Sequence, residues 1–292
     1  MAPIGLLRRG LVAVVAASGL FALGVPAALG DEGGDGGGGV AYVNMGDSYS
    51  AASGVLPPAP AAPPQCLQSA RNWGHVLAAR WDYELTDVSC GAAETRHFTE
   101  PQYPGVAPQV EALSADTDVV TMTIGGNDSG VFIGTIQACA TAAALTAGTG
   151  NPCEQQNGDR FTDTISDVTY PSLVDALETV KAAAPNARVA IAGYLQILPA
   201  ERGCYPVMPV ASGDVPYING IQATLNDAVR RAAEATDVTY VDVTEASQGH
   251  DACQPIGTRW VEPAIGSTNP VVVHPNALGE EAMADRAVAE LG

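Results

Sequence analysis

Apolar segments alternate with amphipathic segments along the chain from residue 40 to residue 292. The apolar segments are short, several are rich in β-branched residues, and turn residues follow them, which predicts buried strands. The predicted strands are 40–45, 83–89, 118–124, 188–193 and 239–243, and the predicted helices are 71–81, 171–184, 221–232 and a terminal helix after residue 276. Strands that alternate with helices predict an α/β fold with a mostly parallel five-stranded sheet, covered by helices on both faces.

The first three predicted strands each end at a segment of small and polar residues. Ser48 follows the first strand in the sequence Gly-Asp-Ser, Gly91 follows the second, and Asn127 follows the third in Gly-Gly-Asn-Asp. Because active sites in parallel sheets lie at the carboxyl ends of the strands, we expect these residues to meet. A serine hydroxyl can act as a nucleophile, and a glycine N–H and an asparagine amide can donate to an oxyanion. Each segment alone is also typical of an ordinary turn.

A histidine near the end of the chain is the candidate base for this serine. His274 directly precedes Pro275, which stiffens the chain, and Asn276, which can cap the terminal helix. A histidine fixed in this way is suited to accept the proton of Ser48. The alternative is a histidine that only helps to cap the helix.

Residues 1–30 have the features of a signal peptide. A pair of arginines precedes an apolar stretch, and small residues follow where a signal peptidase would cleave. The apolar stretch is short for a membrane span, and an uncleaved anchor is the alternative. Residues 31–39 are rich in Gly and Asp and are interpreted as a tether. Residues 40–292 are sufficient for one α/β domain with a full core.

The chain is strongly acidic. Its formal net charge is −19, and removal of residues 1–30 takes away two arginines and no acidic residue, which leaves −21. Such a surface argues against nucleic acid and against anionic membranes as partners, and it favours solubility outside the cell. No second long apolar segment follows residue 30, so we expect no stable membrane insertion.

Six cysteines follow the export signal: Cys66, Cys90, Cys139, Cys153, Cys204 and Cys253. An even number of cysteines in an exported chain predicts three disulfides, although six cysteines allow 15 pairings. No Cys-x-x-Cys pair and no His/Cys cluster has the spacing of a zinc site, so we predict no metal.

Four separated segments together resemble the SGNH hydrolases, also called GDSL esterases and lipases, and in particular their secreted actinobacterial branch. The segments are Gly46-Asp47-Ser48, Gly91, Gly125-Gly126-Asn127-Asp128 and His274-Pro275-Asn276, and the resemblance extends over residues 40–292. It implies a three-layer α/β/α, flavodoxin-like fold. It also implies Ser48 as nucleophile, His274 as general base, and an oxyanion hole made of the N–H groups of Ser48 and Gly91 and the Asn127 amide.

The same resemblance implies three sequential disulfides: Cys66–Cys90, Cys139–Cys153 and Cys204–Cys253. One position departs from the family. Many members have an aspartate three residues before the histidine, and this chain has Val271 there. We therefore predict a Ser–His dyad in which the Val271 carbonyl oxygen accepts a hydrogen bond from His274 Nδ1. The alternative is another acid, such as Asp251, that reaches the histidine through space.

The residues and the resemblance together predict a secreted serine esterase or lipase. It hydrolyses carboxylic esters through an acyl-enzyme and needs no cofactor. We expect a small-molecule or lipid ester as substrate and a monomeric enzyme. Two alternatives stay open: a carbohydrate deacetylase or phospholipase on the same fold, and a non-catalytic secreted binding protein.

Overall fold

The computed structural model describes residues 39–292. The predicted signal peptide, residues 1–30, and all of the predicted tether except Gly39 lie outside the described residues. Between residues 39 and 292 no helix is long and apolar enough to cross a membrane.

Five parallel strands form one sheet. They are β1 (Ala41–Gly46), β2 (Glu84–Asp87), β3 (Val119–Thr123), β4 (Arg188–Ala192) and β5 (Thr239–Val241), in the order β2-β1-β3-β4-β5. Gly46 lies opposite Thr123, so the two central strands end at the same level. The chain changes its direction of winding between β1 and β3, and α/β proteins with this strand order bind their ligands at that point.

Eight α-helices connect and cover the strands among the described residues. They are α1 (Ser48–Ala51), α2 (Trp73–Trp81), α3 (Val131–Leu145), α4 (Pro152–Asn157), α5 (Arg160–Thr164), α6 (Tyr170–Ala183), α7 (Val215–Thr236) and α8 (Ala277–Leu291). Helix α2 packs against α8, and α6 packs against α7. The predicted three-layer α/β/α fold is confirmed.

The central strands are buried because helices lie over both faces of the sheet. Met45 of β1, Met122 of β3 and Ile191 of β4 are all fully buried. Removal of each side chain of this size from water contributes about 1.5–3 kcal/mol. The apolar runs that predicted the strands are therefore the centre of the core.

Four helices, α1, α3, α4 and α5, were not predicted. Helix α3 has apolar and alanine residues around most of its circumference, so no single stripe at helical spacing marks it. It packs against α4 and α5, and the Cys139–Cys153 disulfide joins α3 to α4. Helix α7 also begins earlier than predicted, at Val215, because Pro216 in its first turn fits a helix start.

Candidate active site

A sharp turn after β1 presents Ser48. Gly46 has a φ of +111°, and a Cβ there would lie 2.2 Å from the Thr123 carbonyl oxygen, so only glycine fits. The Asp47 N–H donates to the same oxygen at 2.8 Å. Ser48 then begins the four-residue helix α1, and a first-turn N–H has no partner within its own helix. Ser48 therefore lies at the carboxyl end of the sheet, as predicted.

The buried carboxylate of Asp47 fixes this turn. It accepts hydrogen bonds from the Tyr49 N–H at 3.0 Å, the Thr123 hydroxyl at 2.7 Å and the Tyr194 hydroxyl. Burial raises the pKa of Asp47 to about 6, and these donors offset part of the effect. Sequence reasoning gave Asp47 no role, although an aspartate before a short helix is a recognised N-cap signal.

His274 lies directly against Ser48, although 226 positions separate them in sequence. The distance from His274 Nε2 to Ser48 Oγ is 2.8 Å. The loop that carries the histidine is paired with a second segment: the Val273 N–H donates to the Glu262 carbonyl oxygen, and the Glu262 N–H donates to the His274 carbonyl oxygen, both at 2.9 Å. The predicted meeting of these two side chains is thus present in the structure.

The acceptor for the other ring nitrogen differs from the prediction. His274 Nδ1 lies 2.8 Å from the carbonyl oxygen of Val272, so the predicted Val271 carbonyl is wrong by one residue. The physical reason is the backbone at Val273, where φ is +59° and the chain folds back so that the carbonyl two residues before the histidine faces the ring. Asp251 instead accepts from the Cys253 N–H and the Gln254 amide within its own turn.

The buried carboxylate of Glu262 also holds the loop that carries His274. It accepts hydrogen bonds from Arg259 at 2.6 Å, the Thr268 N–H at 2.7 Å and the Asn276 amide at 3.0 Å. Burial alone would raise the pKa of Glu262, but these donors outweigh it and lower the pKa. Sequence reasoning did not identify Glu262, because no pattern links it to His274.

The His274 ring is enclosed by aromatic side chains. Its ring centroid lies 5.5 Å from that of Tyr49 and 5.6 Å from that of Phe132. Burial lowers the pKa of His274, and the hydrogen bond to the Val272 carbonyl partly offsets this. A lowered pKa keeps the imidazole neutral, which is the form able to accept a proton.

Asn127 follows β3 and lies beside the segment that follows β2. Its amide nitrogen donates to the Ala93 carbonyl oxygen at 3.0 Å. An asparagine amide has two N–H donors, so this bond leaves one donor for another acceptor. The bond also fixes the direction in which the amide points.

Gly91 does not present its N–H as predicted. The Gly91 N–H donates to the Cys66 carbonyl oxygen at 2.8 Å, so the backbone itself already occupies this donor. Among the described residues the next N–H, that of Ala92, has no acceptor. Ala92 has a φ of +62° and lies between Cys90, which bonds Gly46, and Ala93, which bonds Asn127. Successive N–H groups in such a turn point in different directions, so the N–H of Ala92 does not share the acceptor of the Gly91 N–H.

Two further contacts fix the segment of residues 90–95. The Asp128 carboxylate accepts from both the N–H and the hydroxyl of Thr95, at 2.9 and 2.8 Å. Burial raises the pKa of Asp128 to about 6, and the two bonds from Thr95 partly offset this. The Cys66–Cys90 disulfide lies next to Gly91 and connects the segment to the loop after α1. Asn127 and Ala92 are therefore held by neighbouring residues.

All six cysteines are paired. The bonds are Cys66–Cys90, Cys139–Cys153 and Cys204–Cys253, which are the pairs that the resemblance implied. Each closes a loop of 14 to 49 residues. In the chain-entropy account a loop of this size stabilises the fold by about 3–4 kcal/mol.

Comparison with known proteins gives the class to which this site belongs. The chain belongs to the GDSL-like Lipase/Acylhydrolase family, whose family model matches residues 45–282. It is similar to Lipase 2 of Streptomyces coelicolor, with 52% identity over 296 residues and coverage of 98% of each chain. It is also similar to an esterase of Streptomyces scabiei, with 26% identity and coverage of 95% of this chain and 92% of the other.

Two solved structures share the fold. A phospholipase A1 from Streptomyces albidoflavus NA297 superposes with a TM-score of 0.72, at 23% identity over 87% of this chain and 100% of the other. An extracellular lipase from Streptomyces rimosus gives 0.71, at 22% identity over 86% and 99%. The protein is thus a carboxylic ester hydrolase of the GDSL type, and the alternative of a non-catalytic binding protein is not supported.

Proposed function

We propose that this protein is a secreted serine esterase or lipase in which Ser48 is the nucleophile and His274 the general base. The observation that carries the proposal is the 2.8 Å separation of Ser48 Oγ and His274 Nε2. The hydrogen bond from His274 Nδ1 to the Val272 carbonyl supports it, because a proton on Nδ1 leaves Nε2 unprotonated and facing the serine.

In the first step Ser48 Oγ forms a bond to the ester carbonyl carbon and gives its proton to His274 Nε2. The bond between that carbon and the alcohol oxygen then breaks, and His274 returns the proton to the departing alcohol. In the second step a water molecule gives a proton to His274 as its oxygen attacks the acyl carbon. Ser48 leaves with that proton, so the enzyme is restored and the acid is released.

Attack on the carbonyl places negative charge on its oxygen, and we propose three donors for it. They are the N–H of Ser48, the second N–H of the Asn127 amide and the N–H of Ala92. The last replaces the Gly91 N–H, which donates to Cys66. Loss of one such donor typically costs about 3 kcal/mol, or roughly 100-fold or more in kcat.

The proposed mechanism predicts that Ser48 reacts with a fluorophosphonate. Wild-type protein should be labelled and should hydrolyse p-nitrophenyl acetate, whereas Ser48→Ala should show neither property and keep its fold. A matched control is Ser172→Ala, because Ser172 lies on the exposed side of α6 and bonds only the Val168 carbonyl oxygen. Full ester hydrolysis by a folded Ser48→Ala enzyme would rule out the proposed nucleophile.

We further propose that the mature enzyme is secreted and monomeric. Three disulfides support export, because such bonds persist in oxidising compartments. The net charge of −21 after residue 30 supports a monomer, since like charges oppose self-association. Secretion is tested by detection of the processed chain in culture medium, and a protein retained in the cell would contradict it. The monomeric state is tested by the mass from light scattering, and a stable dimer at physiological salt would contradict it.

A further inference from the structure

The peptide group between Gly91 and Ala92 carries the Ala92 N–H, one of the three proposed oxyanion donors. The peptide groups on either side of it are fixed by the backbone. The Gly91 N–H donates to the Cys66 carbonyl oxygen at 2.8 Å, and the Ala93 N–H donates to the Cys90 carbonyl oxygen at 3.1 Å. Within the described part of the chain, no backbone N–H donates to the Gly91 carbonyl oxygen. Backbone contacts therefore leave the direction of this one peptide group open.

Gln102 fixes that peptide group. Its side-chain amide nitrogen donates to the Gly91 carbonyl oxygen at 2.7 Å. In a planar trans peptide the C=O and the N–H point in opposite directions. Because Gln102 holds the Gly91 carbonyl oxygen, the Ala92 N–H is directed to the other side of the peptide, away from Gln102.

The other polar atom of Gln102 is unpaired. Its amide oxygen is buried and has no hydrogen-bond partner among residues 39–292. Such an atom opposes folding, so an apolar side chain of similar length would be more favourable if position 102 only filled space. Pro101 and Pro104 restrict the backbone on both sides of the residue. The bond to Gly91 is thus the contact that accounts for a glutamine here.

The backbone of Ala92 favours a different direction of the same peptide group. Ala92 has a φ of +62°, in the left-handed region that residues other than glycine seldom adopt. Rotation of the peptide by half a turn would bring this φ to roughly −120°, in the broad extended region that alanine adopts readily. The rotation would also reverse the Ala92 N–H. The hydrogen bond from Gln102 therefore opposes a change that local sterics favour.

We propose that Gln102 is a positioning residue for ester hydrolysis, which holds the Gly91–Ala92 peptide so that the Ala92 N–H faces the oxyanion. This inference rests on the proposed function, in which that N–H is one of three donors. A hydrogen bond to the carbonyl oxygen also polarises the peptide group, which strengthens its N–H as a donor. Gln102 thus acts through the peptide group.

The first test is Gln102→Met, which keeps the length of the side chain and removes the donor. The kcat for p-nitrophenyl acetate should fall by about tenfold or more, because the rotated peptide no longer offers its N–H to the oxyanion. KM should change little, since the donor acts on charge that develops during the reaction. A crystal structure of this variant should show a negative φ at Ala92.

The second test is rescue by Ala92→Gly. Glycine adopts positive and negative φ about equally, so this change removes the preference for the rotated peptide. Added to Gln102→Met, it should restore kcat by about threefold or more. In the wild-type background it should give no such gain, because Gln102 already holds the peptide. The two substitutions should therefore be non-additive.

Gln68→Met is the matched control. Gln68 also donates from its side chain to a carbonyl oxygen that follows β2, but this oxygen is that of Ser89, on the peptide group before Cys90. Gln68→Met should lower the free energy of unfolding, and Ala92→Gly should restore none of the kcat that it loses. Gln102→Leu is a second variant without the donor and should behave as Gln102→Met does.

Several outcomes would overturn this inference alone. One is a normal kcat in folded Gln102→Met and Gln102→Leu. Another is a lowered kcat that Ala92→Gly does not raise, or that it raises equally in Gln68→Met, since either result would indicate general support of the fold. Failure of both Gln102 variants to fold would overturn it for the same reason. A wild-type enzyme inactive on every ester would instead contradict the proposed function and, with it, this inference.

Discussion

The Tyr194 hydroxyl donates a hydrogen bond to the Asp47 carboxylate and accepts one from the Gly126 N–H at 2.8 Å. Tyr194 follows β4, Asp47 follows β1, and Gly126 follows β3. One phenol therefore connects the turn that carries Ser48 with the turn that carries Asn127. The two halves of the proposed site are therefore positioned by one buried hydroxyl.

Tyr194→Phe should destabilise the protein. The change leaves a buried N–H without its acceptor and removes one donor from a buried carboxylate, which together should cost about 2–3 kcal/mol. The free energy of unfolding in urea measures this. Tyr205→Phe, at an exposed tyrosine, is the control and should change stability by less than about 0.5 kcal/mol. Equal stability of the two variants would mean that the Asp47–Tyr194 bond contributes nothing.

The acid side of the pH–activity profile should follow the protonation of His274. Burial lowers the pKa of His274, so kcat/KM for p-nitrophenyl acetate should begin to fall only below the ordinary histidine value of about 6.5. Phe132→Ala exposes the ring to water, which should raise the pKa and displace the fall in activity to higher pH. Ile133→Ala, on the exposed side of the same helix, should leave the profile unchanged. A fall at the same pH in the Phe132 variant would show that aromatic burial does not set the pKa.

Asn127→Ala should lower kcat for p-nitrophenyl acetate by about 100-fold or more and change KM little, because the proposed donor acts on charge that develops during the reaction. Asn186→Ala is a matched control, since Asn186 is exposed, precedes β4 at the opposite end of the sheet and bonds the Ala115 carbonyl oxygen. It should retain full activity. A large rise in KM with a normal kcat for Asn127→Ala would indicate substrate binding rather than oxyanion stabilisation.

Stability should fall as pH rises from about 5 to 8, and Glu280 should account for part of this. Glu280 is fully buried, and one of its oxygens accepts only the Trp73 N–H, at 2.8 Å. Burial, together with the charges of Asp87 and Asp47, raises the pKa of Glu280 well above its ordinary value. Between the ordinary and the raised pKa the folded protein binds more protons than the unfolded chain. Unfolding therefore releases protons, and the free energy of unfolding decreases with pH.

Glu280→Gln should reduce that decrease, because the amide cannot ionise. The measurement is the free energy of unfolding at pH 5 and at pH 8, both above the ordinary pKa of a glutamate. Glu281→Gln provides the control, since Glu281 is half exposed and forms only a 3.8 Å ion pair with Arg71. A pH dependence that is identical in the wild type and in Glu280→Gln would show that Glu280 titrates normally.

Much of the fold could be predicted from local pattern. The strands β1, β3 and β4 contain apolar runs followed by turn residues, and α2, α6, α7 and α8 each have one apolar stripe, so local pattern identified them. Helix α3 has no such stripe, because apolar residues such as Ile133 and Leu145 also lie on its exposed side, and neither pattern nor composition marked it as a helix. Local sequence therefore predicts helices whose apolar residues are confined to one face, and misses a helix whose exposed side is apolar as well.

At two places in the site the prediction was wrong by one residue. At both, the direction of the backbone decides which peptide group faces the site. Gly91 and Val271 were chosen by position in a motif, but the free N–H belongs to Ala92 and the carbonyl to Val272. Ala92 and Val273 both have a positive φ. Non-glycine residues seldom adopt such a φ, and the identity of these two residues does not predict it. Side-chain identity thus located Ser48 and His274, whereas the peptide groups around them required the folded chain.

The acceptor for His274 Nδ1 belongs to the main chain, and this changes which mutations can inactivate the enzyme. Every amino acid at position 272 carries the same carbonyl oxygen, so no exchange of a side chain there deletes it. Activity should instead be sensitive to mutations that change the backbone geometry next to this carbonyl. Val273→Pro, with φ fixed near −65°, would turn the carbonyl away from the imidazole, although Ser48 and His274 would both remain in the protein.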